Sequence, residues 1–566
     1  MNRLIAGAKG YFHPLYIGLL GVPLAHTGYL NDHYTVIKWI IVYIVAILCG
    51  IAILKNDELE IPRLPRKIFI SFGVFALIAI SNYFVQRTSV LHSYTLDRAS
   101  LFILVFASYL FFRKKREANL LAICLAVSFS TAAVISFGVV EFYQCRWQRY
   151  VIASNCFPST FGNINMTAQF LGFSLLFQLT GLSQLSSRVG KWWLTVVAVC
   201  TLTYIYFSLC RSVYLATVGA LIIYLILGDF KKRKDALMIV SLASLLIFFI
   251  NIFSRQENPG PQMKGNSNSY RLETWGETLR MIRENPLGVG VGRFEFGFVP
   301  YQMGGERWPL EGLVDRSPHN EYLRILAEDG VPFFVAGLAM VLLVLIIAFR
   351  LGLAFWRSSS GIFIAIFFIF LAIEMMFQFP LENAMPFFLT ALCLGLLLGV
   401  LSAHGSPKSC AKWARGTASI LVLIFASLCV AHAISKYLEA QYSGDSAKSL
   451  LACNLAPYNW RACLNQVRAV ADSDPAQAFT VLRAELGARP YNHAALGFWG
   501  VLALKGGHKG DGCRALVLRD LIFNNMSSYS IFIAQNCLGE IGGVVGDFQD
   551  EYKKWLTSHQ ITTTRL

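Results

Sequence analysis

The chain has 566 residues, of which 55% are hydrophobic and 14% charged, and its mean hydropathy is +0.52. Soluble domains carry about 25% charged residues, so the composition excludes an ordinary soluble protein and indicates a bundle of membrane helices. The net charge of +16 by itself suggests a polyanionic partner. The position of the charges along the chain decides whether this interpretation holds.

Apolar runs of roughly 17 residues or more predict transmembrane helices, because that length crosses the hydrocarbon core of a bilayer. Thirteen such runs lie near 12–30, 34–54, 68–85, 99–112, 118–140, 164–182, 192–209, 212–228, 236–253, 331–349, 361–379, 387–402 and 416–434. The first run resembles a signal peptide, but no small-residue cleavage site follows it and the next run starts at once. We therefore interpret it as a retained helix.

The basic residues are distributed unevenly between the two sides of the membrane. One alternating set of loops carries 21 Lys and Arg, whereas the short loops of the other set carry five. The positive-inside rule places the N-terminus in the cytoplasm, and the long loop 254–330 and the tail 436–566 on the outer side. The excess charge is therefore a topology signal, and we expect no nucleic-acid partner.

One acidic residue, Glu374, lies inside a predicted span. A carboxylate at membrane depth is a functional candidate, because its burial costs free energy unless it is paired. Since it lies near the outer end of its helix, snorkelling to the interface is the structural alternative.

The tail has a different composition, with 13 basic and 11 acidic residues and many helix formers. Its segment 457–459, Pro-Tyr-Asn, recurs 33 residues later as 490–492, and a weaker echo starts at Phe523. A period near 34 is typical of helix–turn–helix solenoids. We predict a helical, tetratricopeptide-like domain.

Six cysteines lie in segments assigned to the outer side, and these are Cys145, Cys156, Cys453, Cys463, Cys513 and Cys537. They fit an oxidising compartment and disulfide formation, although the sequence does not reveal the pairing. No Cys or His spacing resembles a zinc site, and we expect no metal.

Two outward-facing polar segments are candidate binding sites. Asn163, Asn165 and Gln169 open a predicted span, where their amides either bind substrate or cap the helix. In the long loop, Leu272, Trp275, Leu279 and Ile282 have helical spacing and predict an amphipathic helix that starts near Arg271 and lies on the membrane surface. Asn285-Pro286 ends it, and the glycines of 288–292 predict a tight turn rather than a dinucleotide site, because no βαβ unit surrounds them.

A third segment carries the strongest catalytic candidate, His319. Ser317 suits a helix N-cap and Pro318 the first helical position, which places His319 in the first turn. The helix dipole would then keep the imidazole neutral and suited to act as a general base. Together with Arg211 and Arg271 on the same side, it predicts a site where cations hold a diphosphate while the histidine takes a proton from a hydroxyl.

Four motifs resemble, in order, those of the O-antigen ligase and polymerase superfamily, which includes lipopolysaccharide O-antigen ligases, Wzy-type polymerases and bacterial protein O-oligosaccharyltransferases. They are the Gly-Asn segment 162–168, the Ser-Arg turn 208–212, the Arg-Trp helix with its Pro-Leu-Gly turn over 271–290, and the His-Asn segment 318–330. Phe379-Pro380-Leu381 is similar to an aromatic-Pro-Leu element of members with long tails. Two departures are Gln378, where many oligosaccharyltransferase relatives have an acidic residue, and extra residues in the Ser-Arg turn.

The resemblance implies an all-α polytopic membrane protein with a GT-C-like fold. Residues 1–435 would form the transferase domain, including the loop 254–330, and residues 436–566 a periplasmic repeat-like domain. By this resemblance His319 is the catalytic base and Arg211 and Arg271 bind the donor diphosphate. Substrate-binding roles are expected for a set of polar and aromatic residues at the motifs, namely Asn163, Asn165, Gln169, Trp275, Arg316, Asn320 and Tyr322.

The expected activity is transfer of an undecaprenyl-diphosphate-linked oligosaccharide to an acceptor hydroxyl at the periplasmic face of the bacterial inner membrane, without metal or cofactor. The acceptor is a protein, a glycan or lipid A-core. The thirteen spans and the tail favour a protein O-oligosaccharyltransferase or a polymerase over a lipid A-core ligase, and the first of these is the expected function. The alternatives are an O-antigen polymerase or lipid A-core ligase, a transporter of lipid-linked glycan, and a membrane-anchored scaffold whose function lies in the tail.

Overall fold

A computed structural model describes the chain over residues 13–26, 34–54, 60–61, 93–147, 158–254, 267–302, 317–402, 408–409, 412–440, 445–457, 459–522, 537, 554–555 and 557–558. The described part is almost entirely helical, as the sequence predicts. Its two short strands, β1 (Glu60–Ile61) and β2 (Lys408–Ser409), pair antiparallel. The predicted span 68–85, Arg316, Cys156 and the repeat echo at Phe523 lie outside the described residues.

The described helices up to the long loop are α1 (Leu15–Leu24), α2 (Thr35–Leu54), α3 (Ser93–Lys114), α4 (Arg116–Trp147), α5 (Ile164–Gln184), α6 (Arg188–Ser208), α7 (Arg211–Leu227) and α8 (Phe230–Ser254). Those of the loop and the following spans are α9 (Ser267–Glu284), α10 (Phe294–Gly297), α11 (Val299–Gln302), α12 (Glu321–Glu328), α13 (Val331–Phe349), α14 (Gly352–Trp356), α15 (Ser359–Phe377), α16 (Ala384–Leu401) and α17 (Lys412–Ala440). The tail contains α18 (Ser446–Leu455), α19 (Trp460–Val470), α20 (Pro475–Ala488), α21 (His493–Lys505) and α22 (Lys509–Ile522). Short 3₁₀ turns lie at Ser159–Phe161 and Pro380–Glu382.

Seven of the described helices are long and apolar enough to cross a membrane, and the protein is therefore a multi-pass membrane protein in character. They are α2, most of α4, α6, α13, α15, α16 and residues Ser419–Ala440 of α17. Helices α1 and α7 are apolar but shorter. The total of thirteen spans stays a prediction.

The chain divides into two compact units. The first comprises 1–72, 96–264 and 340–429, and the second 73–95, 265–339 and 430–566. The loop that carries the histidine motif therefore groups with the tail. The predicted domain boundary at 435/436 stays a prediction.

Helix α5 forms the centre of the first unit and packs against α4, α6 and α15. Its buried face carries aromatic rings, and Phe173 and Phe177 contact Phe370 and Phe363 of α15 with ring centroids 4.6 Å apart. Gly172 permits this close approach, because a Cβ there would lie 2.3 Å from the Phe370 ring. Polar residues such as Gln169 also face inward on α5.

In the second unit, the loop helices share a hydrophobic core with the tail. Val299 of α11 is fully buried in the same cluster as Leu464, Leu482 and Trp499 of the tail helices. Phe296 of α10 meets the edge of the Trp460 ring, with centroids 6.3 Å apart. Because apolar burial is the main stabilising term in folding, the loop and the tail stabilise each other.

The repeated Pro-Tyr-Asn segments occupy matching local positions, since each asparagine directly precedes a helix. Asn492 caps α21 by accepting from the backbone N–H groups of Ala494 and Ala495. Asn459 precedes α19 but instead donates to Ser435 Oγ and Glu439 Oε2. Both asparagines are buried, so the repeat marks a helix start in each copy, while the likeness to tetratricopeptide repeats stays a prediction.

Two disulfides cross-link the tail, Cys453–Cys463 and Cys513–Cys537. All four cysteines are among the six that the sequence assigns to the outer side. The side of the membrane on which the tail lies stays a prediction.

Replacing Val299 by Ala should destabilise the second unit by roughly 1.5–3 kcal/mol, because two buried methyl groups are lost and a cavity remains. The unfolding temperature of the purified protein measures this change, with protease cleavage of the tail as the signal of unfolding. The control is Val335→Ala, since Val335 is 56% exposed. An unfolding temperature as high for Val299→Ala as for the control would contradict a core shared by loop and tail.

Candidate functional site

The loop helix α9 presents one face to the histidine segment. Arg271 and Trp275 are separated by four residues and therefore lie on the same side of the helix. Trp275 Nε1 donates a 2.8 Å hydrogen bond to the carbonyl oxygen of Pro318, the residue before His319. The tryptophan thus fixes the backbone at the point where the candidate base begins.

The predicted apolar stripe of α9 is not a single buried face. Leu272 and Leu279 are 65% and 55% exposed, whereas Ile282 is buried. The inward side is instead formed by Thr274 and Thr278, both buried, with the Thr278 hydroxyl donating to the Thr274 carbonyl. The exposed leucines are compatible with a membrane surface, and that placement stays a prediction.

His319 does not lie in the first turn of a helix, so the predicted N-cap at Ser317 is wrong. Helix α12 begins at Glu321, and Asn320 is its N-cap, accepting from the Leu323 N–H at 3.1 Å. His319 has a φ of +50°, a left-handed conformation that a continuing right-handed helix excludes. Among the described residues, the buried Ser317 Oγ has no hydrogen-bond partner.

The pKa of His319 is nevertheless lowered, as the sequence predicts, but by other causes than the helix dipole. Burial lowers it most, because the charged imidazolium loses its water, and the nearby positive charge of Arg271 lowers it further. A lowered pKa keeps the imidazole neutral at pH 7 and able to accept a proton.

The glycine turn after α9 is confirmed, and it locks the histidine segment in place. Gly288, Gly290 and Gly292 all have positive φ. The backbone N–H groups of Val289 and Gly290 donate to the carbonyl oxygens of Ala327 and Glu328, at 2.9 and 3.1 Å. The Pro-Leu-Gly turn and the helix that follows the His-Asn motif are thus joined by backbone hydrogen bonds.

Gly330 is required where these two segments cross. Its φ is +87°, and the Val331 N–H beside it donates to the Pro286 carbonyl at 2.8 Å. A Cβ at Gly330 would lie 2.4 Å from the carbonyl carbon of Leu287, which is backbone and cannot swing away.

Helix α12 also contains a buried ionic cluster that the sequence reading missed. Arg324 contacts both Glu321 and Glu328, one turn before and one turn after it. The signal was available, because acidic residues three and four positions from an arginine share its helix face. Tyr322 lies on the same helix, half-buried, with its ring edge towards Phe334.

The remaining site candidates belong to the first unit. Asn163 is the N-cap of α5, and its Oδ1 accepts from the backbone N–H of Asn165 at 2.8 Å, so the capping interpretation is confirmed. The Asn165 side chain is exposed. Arg211 is exposed at the first position of α7, after a turn in which Leu209 has a φ of +55°.

Gln169 belongs to a buried chain of polar side chains with Glu374 and Asn383. Its Nε2 donates to Glu374 Oε2 at 2.9 Å, and its Oε1 accepts from Asn383 Nδ2 at 2.8 Å. Glu374 is fully buried, so the snorkelling alternative is wrong. Hydrogen bonds to a carboxylate offset part of the cost of its burial at membrane depth.

Within the described ranges, no group of three or more His, Cys, Asp or Glu side chains is arranged to hold a metal ion. The chemical groups that the second unit brings together are an imidazole, a guanidinium and an indole. Such a set suits proton transfer beside an anion.

Gly330→Ala should strongly destabilise the second unit, because it adds a left-handed strain of roughly 1–2 kcal/mol and a clash with the Leu287 backbone. Gly276→Ala is the matched control, since Gly276 is exposed on α9 with no atom within 4 Å of its added Cβ, and should stabilise by roughly 0.5–1 kcal/mol. Thermal unfolding of both purified variants tests this pair. Equal unfolding temperatures would show that the crossing does not constrain the fold.

Comparison with protein families places the histidine segment, the glycine turn, α9 and Arg211 inside one matched region, residues 196–338, described as O-antigen ligase. No curated protein matches the chain. The matched region covers three of the four motifs that carry the resemblance in sequence. Residues 196–338 therefore match the O-antigen ligase family model, which is consistent with the superfamily that the motifs resemble.

Proposed function

We propose that the protein is an inner-membrane glycosyltransferase that moves an oligosaccharide from undecaprenyl diphosphate to an acceptor hydroxyl on the periplasmic side. The observation that carries the proposal is His319, held by Trp275 beside the positive charge of Arg271, inside a domain of the O-antigen ligase family. Family members are glycan transferases or ligases, which supports a transferase over a transporter or a scaffold.

The chemistry follows from a neutral imidazole and fixed cations. His319 takes the proton of the acceptor hydroxyl as its oxygen attacks the anomeric carbon of the donor sugar. The bond from that carbon to the diphosphate oxygen breaks, and undecaprenyl diphosphate leaves with the electron pair. Arg271 and Arg211 are proposed to bind the diphosphate, because guanidinium groups match its oxygens in charge and geometry.

Three independent features support the proposed location of the reaction, at the outer face of a membrane. Seven described helices suit a bilayer, the loop charges favour a cytoplasmic N-terminus, and the tail carries two disulfides. Membrane lipid and a lipid-linked donor are the partners that follow, and neither metal nor cofactor has a part in the proposed step.

The acceptor in this proposal is a protein hydroxyl. The helical tail supports it, because stacked helix pairs commonly bind polypeptides. Gln378, which ends α15 where many oligosaccharyltransferase relatives carry an acid, favours the second candidate, a glycan or lipid A-core acceptor. Mass spectrometry of glycoproteins and lipopolysaccharide from a deletion strain separates the two.

His319→Ala should lower glycan transfer by about 100-fold or more, because general base catalysis contributes roughly 10²–10⁴ in rate. Transfer is measured with purified full-length protein, lipid-linked oligosaccharide and acceptor. The control is His508→Ala, an exposed histidine between two tail helices. Transfer by His319→Ala at the rate of the control would overturn the proposed mechanism.

The rate should depend on pH with an acid limb that reports the protonation of His319. Because the pKa of His319 lies below its ordinary 6.5, activity should be lost only as the pH falls below that value. Arg271→Gln removes a positive charge that lowers this pKa, so its acid limb should move to higher pH.

Arg283→Gln is the control for the Arg271 variant, since Arg283 is exposed three turns further along the same helix. Its pH profile should match that of the wild type. An acid limb that is unchanged in Arg271→Gln would show that Arg271 does not act on the catalytic base.

A further inference from the structure

We propose that Arg324 is a positioning residue for His319, which it holds in place through a buried ionic clamp formed by Glu321, Arg324 and Glu328. The proposal rests on the proposed function, because positioning has a catalytic meaning only if His319 is the base. The clamp lies on α12, which begins two residues after His319.

The arginine contacts both carboxylates of the clamp. Its Nη1 lies 3.1 Å from Glu328 Oε2, and its Nη2 bonds to Glu321 Oε1. The Arg324 side chain is 10% exposed, while those of Glu321 and Glu328 are 0% and 3% exposed. Charges at this depth are stable only when paired with good geometry, so each member depends on the others.

Glu328 connects the clamp to residues outside α12. Its Oε1 accepts from the backbone N–H of Phe294, the first residue of α10, at 3.1 Å. Its main-chain carbonyl accepts from Gly290 in the glycine turn. Arg324 therefore links the helix that follows His319 to the turn that follows α9.

This link matters because α12 has only eight residues. Isolated helices shorter than about 12–15 residues are marginal in water, so its orientation depends on tertiary contacts. His319 is fixed from one side by the Trp275 bond to Pro318 and from the other by the start of α12. If α12 turns or frays, the imidazole loses its place beside Arg271.

The clamp contains more negative than positive charge. The two carboxylates of Glu321 and Glu328 share the guanidinium of Arg324, and among the described residues Glu321 Oε2 has no hydrogen-bond partner. Burial raises the pKa of Glu321, an effect that the Arg324 charge opposes. Removing the arginine would leave buried carboxylates without their cation, so the clamp should loosen rather than remain in place.

The test compares Arg324→Met, Arg324→Lys and the exposed control Arg283→Met in the full-length protein. Arg324→Met should lower kcat at least 10-fold while the KM for the lipid-linked donor changes less than 3-fold. The acid limb of its pH profile should move to higher pH, because a displaced His319 becomes hydrated and moves away from Arg271. Arg324→Lys should restore most of the rate and the wild-type limb, and the control should resemble the wild type.

Glu328→Gln serves if Arg324→Met does not fold, because the amide keeps the volume and the acceptor for Phe294 while removing the ion pair. It should shift the acid limb in the same direction. A reduced kcat with the acid limb at its wild-type pH, in either variant, would overturn the proposal and assign the clamp a structural role. The titration of His319 followed by NMR gives the same readout without transfer, so failure of the proposed function is distinguishable from failure of the clamp.

Discussion

The arrangement of the second unit depends on how the backbone is held around His319. A non-glycine residue with positive φ is uncommon and persists only when its surroundings determine it. Here the Trp275 indole binds the carbonyl before it, Asn320 caps the helix after it, and the glycine turn pairs with the far end of that helix. The strained residue is the one that the proposed chemistry uses.

The same constraint connects the loop to the tail. Val299 and Phe296 follow the glycine turn directly and pack into the tail helices. A substitution that alters the packing of the tail core would therefore also displace the glycine turn. Because Glu328 bonds to this segment, the displacement would extend to the helix beside His319. The tail is in this respect part of the scaffold of the proposed site, besides any role in binding the acceptor.

Local chemistry was predictable from the sequence, whereas pairings between distant segments were not. The end of α9 at Asn285-Pro286 and the positive φ of the glycines follow from residue type alone. The helix start at Asn320 was missed because Ser317-Pro318 is an equally good local signal, and tertiary contacts decided between them. The Gln169, Glu374 and Asn383 chain joins residues more than 200 positions apart, which no single-sequence pattern reveals. The pairing of the four tail cysteines was not predictable either, because four cysteines allow three connectivities.

The proposed mechanism requires that His319 is neutral in the resting protein, because it is partly buried beside the positive charge of Arg271. An NMR titration of the histidine side chains in full-length protein in lipid nanodiscs, with the His319 signal assigned by its loss in His319→Ala, tests this most directly. The account predicts a titration midpoint below 6.5, which moves upward when Arg271 is replaced by Gln. A midpoint at or above 6.5 in the wild-type protein would contradict it.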